Sequence, residues 1–124
     1  MRLLLAYLAI LTFLTLNPWM LPDSSPAIDR ITWDKIDHAV AYGLLAWLML
    51  LALKFIKQFW QSALLVLLIT SGIGLFLEYC QLWLTSNRQF SYADAYANAF
   101  GALLGVALFC CYRAIAQFIR GYRT

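Results

Sequence analysis

The sequence predicts an all-α polytopic membrane protein, a compact bundle of four transmembrane helices. Of its 124 residues, 64% are hydrophobic and only 12% are charged, and the mean hydropathy is +0.74. A soluble domain carries roughly 25% charged residues. Four uncharged stretches dominate the chain: Leu3–Leu16, Ala39–Leu53, Ala63–Leu77 and Ala95–Cys111. Because a span needs about 20 residues, four spans leave no room for a soluble catalytic domain. We therefore expect a single membrane domain over residues 1–124.

The first stretch predicts a span near residues 3–20. Arg2 followed by an apolar run is also typical of a signal peptide, with Ser24–Ala27 as a cleavage region. However, no small-x-small motif stands close to the run, and Leu3–Leu21 is long for a signal sequence. We therefore expect this helix to be retained and to end or kink at Asn17-Pro18.

The second span is predicted near residues 37–56 and begins in a polar motif. In a helix, Asp34, His38 and Tyr42 recur every four residues and share one face, with Lys35 beside them. A carboxylate beside an imidazole can hold it in one tautomer, as catalysis or anion binding requires. The structural alternative is that Asp34 caps the helix and Asp37 complements its dipole. His38 is the chain's single histidine.

The third span is predicted near residues 61–84 and carries Glu78 and Gln81 near its end. Ser71 and Gly74 extend the same stripe, and small residues let a neighbouring helix approach closely. A glutamate in lipid is protonated or paired, because an isolated buried charge is costly. Pairing with Lys35, His38 or Arg88 is available at the same depth.

The fourth span is predicted near residues 92–119. Ser91 and Asp94 fit a capping box, which gives this pair a purely structural explanation. Asp94, Asn98, Gly101 and Gly105 mark one continuous face, and Gly-x-x-x-Gly in an apolar helix favours tight packing. Asn98 needs a hydrogen-bond partner at this depth. The partners expected for it are Glu78, Gln81 and Asp94.

The distribution of lysine and arginine predicts the orientation. Six of the nine lie in the N-terminus, the middle loop and the C-terminal tail: Arg2, Lys54, Lys57, Arg113, Arg120 and Arg123. The other loops carry three, namely Arg30, Lys35 and Arg88, together with several aspartates. The positive-inside rule then places both termini in the cytoplasm of a plasma (inner) membrane. The net charge of +3 reflects this asymmetry, and we expect no nucleic-acid partner.

Polar residues gather at the outward ends of the predicted spans. Ionisable groups at membrane depth are costly and usually functional, so we expect these residues to converge in one outward-facing pocket. The catalytic candidates are His38, Glu78 and Asp94. The ligand-binding candidates are Asp34, Lys35, Gln81, Arg88 and Asn98.

The motifs in this order resemble the VanZ-like family, which is associated with resistance to the glycopeptide teicoplanin. They read Asp-Lys-x-x-His-x-x-x-Tyr from Asp34, Glu-x-x-Gln from Glu78, and Arg88 followed by Ser-x-x-Asp-x-x-x-Asn-x-x-Gly from Ser91. The resemblance covers residues 33–106 by motif and the whole chain by its four-span layout. It implies a small membrane protein linked to envelope or antibiotic phenotypes, but it does not imply a particular reaction.

Three functions compete at this stage. In the first, the pocket binds or modifies an anionic envelope lipid or lipid-linked wall precursor, with an effect on glycopeptide susceptibility. In the second, an intramembrane hydrolase or transferase uses His38, oriented by Asp34 or Glu78. In the third, a small transporter uses Glu78, although the polar groups stay near one face. We expect no cofactor, and one histidine makes His38, Glu78 and Asp94 a poor metal set. A homo-oligomer is left open.

Overall fold

A computed structural model of the chain describes residues 1–16, 27–53, 58–84 and 91–121, with side chains from residue 33 onward in the second helix. These ranges form four helices and contain no strand, which confirms the all-α prediction. The helices are α1 Arg2–Leu16, α2 Ala27–Ala52, α3 Phe59–Leu84 and α4 Tyr92–Gly121.

Three of the helices are long and apolar enough to cross a membrane, by length and composition: Trp33–Ala52 within α2, Phe59–Leu84 and Tyr92–Gly121. Helix α1 is apolar but has only 15 residues. At 1.5 Å per residue it extends about 22 Å, which is short of a hydrocarbon core of about 30 Å. Residues 17–20 of the predicted first span lie outside the described residues, so the four-span count stays a prediction.

Helix α2 begins ten residues before the span predicted at 37. The prediction followed the apolar run alone, whereas the helix continues into the polar residues that precede it. It starts directly after Pro26 in the sequence, and proline fits a helix start but not a helix interior. Asp34 is therefore the eighth residue of α2, and it cannot cap the helix. The capping and dipole alternative for Asp34 and Asp37 is wrong, because a helix terminus acts only within its first turn.

Helices α2 and α4 pack backbone to backbone through small residues. A Cβ atom built on Gly101 would lie 2.6 Å from the Ala39 Cα, and one built on Gly105 would lie 2.9 Å from the Gly43 carbonyl carbon. Both distances are too short for non-bonded carbons, so only glycine fits these positions. The predicted packing role of Gly101 and Gly105 is confirmed. Gly43, which lay outside that predicted face, belongs to the same contact.

Gly74 makes a corresponding contact for α3. Its hypothetical Cβ would lie 2.9 Å from the Asn98 Cβ and 3.0 Å from the Tyr42 Cε1, so α3 approaches both α2 and α4 here. The predicted packing role of Gly74 is confirmed, whereas Ser71 is partly exposed.

Helix α1 packs on α2 and α3 near the polar end of the bundle. Leu11 is buried against Tyr42 and Leu45. The Tyr7 hydroxyl donates a 2.8 Å hydrogen bond to the Ala41 carbonyl oxygen. These contacts leave a cleft between α1 and α2.

The remainder of the core lies between α2, α3 and α4. Its buried members are Ala46, Leu50, Ala63, Val66, Ala102, Val106 and Phe109. Trp47 packs edge-on against Phe109, with ring centroids 5.1 Å apart. Many large apolar side chains instead point away from the bundle, for example Leu68, Phe76 and Leu108. An apolar outer surface of this extent is unusual for a soluble monomer and fits a lipid environment.

Candidate functional site

An ion pair joins α2 and α4 at the polar end of the bundle. The Lys35 ammonium contacts the Asp94 carboxylate and lies 3.5 Å from Asp34 Oδ2. The Asp94 side chain is 14% exposed and the Lys35 side chain 28%, so both are partly shielded from solvent. Since partial burial strengthens such a pair, it helps to fix the register of the two helices.

Asp94 was also predicted to form a capping box with Ser91 at the start of α4, and the structure shows how far this holds. The Ser91 Oγ accepts a 3.2 Å hydrogen bond from the Asp94 backbone N–H, so Ser91 does cap α4. The Asp94 carboxylate, however, reaches across to Lys35 on α2. Ser91 therefore makes its half of the capping box, whereas the Asp94 side chain belongs to the network between α2 and α4.

A second link between the same helices lies one turn deeper. His38 Nδ1 and Asn98 Oδ1 are 2.8 Å apart. Because an amide oxygen only accepts, this pairing places a proton on Nδ1, and in the neutral ring the lone pair is then on Nε2. Nε2 lies 3.9 Å from Asp34 Oδ1. Asn98 was expected to bond to Glu78, Gln81 or Asp94, and the structure gives its oxygen His38 instead.

Glu78 and Gln81 occupy the buried face of α3. Their exposed fractions are 1% and 3%, so both are shielded from lipid by the other helices. Gln81 Nε2 donates a 2.7 Å hydrogen bond to the Thr15 carbonyl oxygen at the end of α1. Glu78 lies close enough to the Tyr42 hydroxyl to interact with it electrostatically. These two residues thus connect the polar end of α3 to α1 and α2.

Two further polar atoms are buried at this level. Within the described parts of the chain, the Tyr42 hydroxyl and the Asn98 Nδ2 have no hydrogen-bond partner. Each such group costs roughly 1–3 kcal/mol when buried, so it is retained at the expense of stability. Both side chains contact Gly74, which places them together between α2, α3 and α4.

A cleft of about 300 Å³ opens between α1 and α2. Polar residues line one part of it: Thr15, Asp34, Asp37 and His38. Apolar or aromatic residues line the remainder: Leu11, Leu14, Ala41 and Tyr42. The cleft therefore presents both a polar and an apolar surface, as an amphiphilic ligand requires.

A second groove, of about 330 Å³, lies between α2 and α4. It is lined by apolar residues and glycines, including Val40, Leu44, Trp47 and Leu108. None of its lining residues is ionisable. The α1–α2 cleft, which is lined by ionisable side chains, is therefore the better candidate for the functional site.

The structure brings together only part of the predicted site. Five candidates form one connected network: Asp34, Lys35, His38, Asp94 and Asn98. Glu78 and Gln81 lie on the buried face of α3, beside Tyr42 and α1. Arg88 lies outside the described residues.

Sequence reasoning missed two residues of the cleft. Asp37 was assigned to the helix dipole, yet it lines the cleft as an exposed carboxylate. Its position one residue before the only histidine was the available signal. Thr15 also lines the cleft and uses its backbone carbonyl to bind Gln81. A backbone acceptor leaves no signature in the sequence.

Comparison with known proteins gives one result. The family profile described as VanZ/LLP1 matches residues 3–115, which includes every residue of the network. No curated protein and no solved structure matches the chain. A match over nearly the whole chain shows the family, and the apolar helices fit a membrane protein. The chain belongs to the VanZ/LLP1 family.

Proposed function

We propose that this protein binds the phosphate-bearing headgroup of an envelope lipid or lipid-linked wall precursor in the α1–α2 cleft. The observation that carries the proposal is the amphiphilic lining, with Asp37 and His38 at one part and Leu11 and Leu14 at another. A headgroup would occupy the polar part, and the start of the acyl or prenyl chain would contact the leucines.

The charges of the network indicate which chemical groups the headgroup should carry. Three carboxylates, on Asp34, Asp37 and Asp94, face one lysine and one histidine in the described residues. Lys35 is already offset by two of the carboxylates. Recognition of a phosphate then falls to Arg88 and to His38, whose Nε2 donates to the phosphate when the ring carries both protons. The carboxylates would accept hydrogen bonds from hydroxyl or amino groups of the same headgroup.

The proposal places this polar end outside the plasma membrane. Its support is the excess of lysine and arginine in the opposite set of segments, six against three. An outward cleft would meet envelope lipids and wall precursors, and occupancy of these molecules would alter glycopeptide susceptibility.

The test measures lipid binding by the purified full-length chain. Native mass spectrometry would compare retention of phosphatidylglycerol and an undecaprenyl-phosphate-linked sugar by wild type, His38→Ala and Arg88→Ala. A lost charge-assisted hydrogen bond is worth roughly 1.5–3 kcal/mol, so we expect about 10- to 100-fold weaker binding. Trp33→Phe is the matched control, because Trp33 is an exposed residue on α2 that does not line the cleft. Unchanged binding by folded His38→Ala would refute the proposal.

The second candidate function is catalysis on the same ligand, and one observation favours it. Asn98 bonds to His38 Nδ1, and the other ring nitrogen, Nε2, lies beside Asp34, which lines the same cleft. A neutral histidine can remove a proton from water or an acceptor hydroxyl that attacks a phosphoryl or acyl group. The bond from that group to its leaving oxygen would break, and the imidazolium would return the proton to the leaving oxygen. Asp34, 3.9 Å away, would stabilise the imidazolium that forms.

Catalysis and binding differ in what Asn98→Ala should do. If His38 is a general base, Asn98→Ala releases the ring and lowers turnover of a lipid-phosphate substrate, while lipid binding changes little. If the protein only binds, wild type releases no product. Product analysis by mass spectrometry after prolonged incubation separates the two outcomes.

A further inference from the structure

We propose that Asp34, His38 and Asp94 form a divalent metal site of the zinc type, in which the Lys35 ammonium competes with the ion. Each of the three residues offers one ligand atom, and these atoms all lie within 4.8 Å of one another. They come from two helices that are locked together by glycine contacts. Imidazole nitrogen and carboxylate oxygen are ligands that zinc accepts.

The orientation of His38 supports the site independently of the two carboxylates. Metal-bound histidines almost always donate their other ring N–H to an oxygen, which fixes the tautomer and aims the lone pair. His38 has this arrangement, with Nδ1 bonded to Asn98 Oδ1 at 2.8 Å. The remaining nitrogen, Nε2, is the one that lies beside Asp34. Asn98 is itself 1% exposed, so its position is well determined by packing.

The local charge also suits a cation. Asp34 and Asp94 together carry two negative charges, and in the structure Lys35 offsets only one of them. A divalent ion would balance both. The side chains of His38 and Asp94 are 13% and 14% exposed, so the ion would be only partly hydrated by bulk solvent. Three protein ligands leave a fourth coordination position for water or for an oxygen of a ligand.

Lys35 gives the site its distinguishing property. Its ammonium contacts the same Asp94 carboxylate that the metal would use. Two cations at one carboxylate repel each other, so the ion and the lysine compete, and metal binding favours the release of a positive side chain at the polar end of α2. With His38 held by the ion, the released Lys35 would replace it as the contact to a phosphate, a step that rests on the function proposed above.

Titration of the tag-free full-length chain in detergent, stripped of metal by chelation, tests the site without any lipid. Cobalt(II) serves as the probe, because bound cobalt reports its coordination through visible absorption. We expect a saturable spectrum at one ion per chain, and its displacement by Zn²⁺. His38→Gln and Asp94→Asn should abolish it, whereas Asp37→Asn should keep it. Asp37 is the matched control, being an aspartate next to His38 that contributes no ligand.

Two further variants separate a metal site from a structural network. Lys35→Met removes the competing charge but keeps an unbranched side chain of similar length, so it should tighten cobalt binding. Asn98→Ala should weaken it by about 10- to 100-fold, as loss of an outer hydrogen bond does. Circular dichroism and elution profile identify variants that have failed to fold. His38→Gln and Asp94→Asn affect different helices, so either one, when folded, suffices.

The proposal is overturned if wild type shows no saturable cobalt spectrum or if His38→Gln and Asp37→Asn behave alike. Unchanged or weaker cobalt binding by Lys35→Met would refute the competition. A final measurement compares phosphatidylglycerol binding with Zn²⁺ and with chelator. Stronger binding with Zn²⁺ in wild type, absent in Lys35→Met, supports the release of Lys35. Equal binding in both conditions refutes that step alone and leaves the lipid function intact.

Discussion

His38 on α2 and Asn98 on α4 are joined by a hydrogen bond of 2.8 Å between Nδ1 and Oδ1. The bond lies one turn below the Lys35–Asp94 ion pair on the same two helices. The histidine ring therefore has a defined orientation relative to both helices. Its other nitrogen, Nε2, lies 3.9 Å from Asp34 Oδ1, and both residues line the cleft between α1 and α2.

Removal of the Asn98 amide should destabilise the protein as well as release the ring. We expect Asn98→Ala to lower the free energy of unfolding by about 1–3 kcal/mol, because His38 loses its buried partner. Thermal denaturation in detergent, followed by circular dichroism, measures this change. Tyr96→Ala is the control, since Tyr96 is a highly exposed residue of the same helix. Equal stability of the two variants would contradict a net stabilising role for the Asn98 side chain.

The glycine contacts predict a graded series of substitutions. Gly101→Ala should strongly reduce the yield of folded protein, because its Cβ would collide with the Ala39 backbone. Gly43→Ala should be milder, since its nearest contact is at 3.0 Å. Gly72→Ala should be neutral or stabilising, because nothing lies within 4 Å and alanine favours helix by about 1 kcal/mol. The leucine variants should follow the same order in fluorescence-detected size-exclusion yield. A milder effect at Gly101 than at Gly43 would contradict it.

Glu78 tests whether the buried face of α3 contributes to function. We expect Glu78→Gln to fold, because an amide has nearly the same shape as the carboxyl group, but to lose lipid binding or the envelope phenotype. Gln81→Glu is the reciprocal change on the same face, and it should reduce folding because it removes the donor to Thr15. A folded Glu78→Gln variant with wild-type function would restrict Glu78 to a structural role.

The proposed orientation is tested by labelling single cysteines in a background without Cys80, Cys110 and Cys111. A cysteine at position 30 should react with an impermeant reagent added outside intact cells, and one at position 57 should react only after lysis. The reason is the six-to-three asymmetry of lysine and arginine. The reverse pattern would invert the bundle and remove the cleft from the envelope side.

The sequence pattern predicted the helices and the glycine packing because both depend on local spacing. Four apolar stretches indicate four helices, and Gly101 and Gly105 at a spacing of four indicate one small face. The partner of that face could not be read in the same way. Ala39 and Gly43 also lie four apart, yet only the structure shows that they are opposite.

The Lys35–Asp94 and His38–Asn98 pairs between α2 and α4 could not be predicted from the sequence, for a physical reason. Asp94 and Ser91 have a sufficient local explanation as a cap, and only the register of α2 against α4 brings Lys35 to the carboxylate. The early start of α2 was also missed, because hydropathy reports where lipid can surround a helix and not where hydrogen bonding begins. A helix cap was consequently given as the structural alternative for Asp34, although α2 begins seven residues earlier.

The backbone contact of Gly101 with Ala39 determines how the bundle can deform. Neither position has a side chain beyond a methyl group, so no rotamer change can accommodate a displacement of α2 along α4. These helices therefore move as one body. Helix α1 is held to them by larger and more adaptable contacts, through Leu11 and the Tyr7 hydroxyl. The α2 side of the cleft, which carries His38, is therefore held more rigidly than the α1 side.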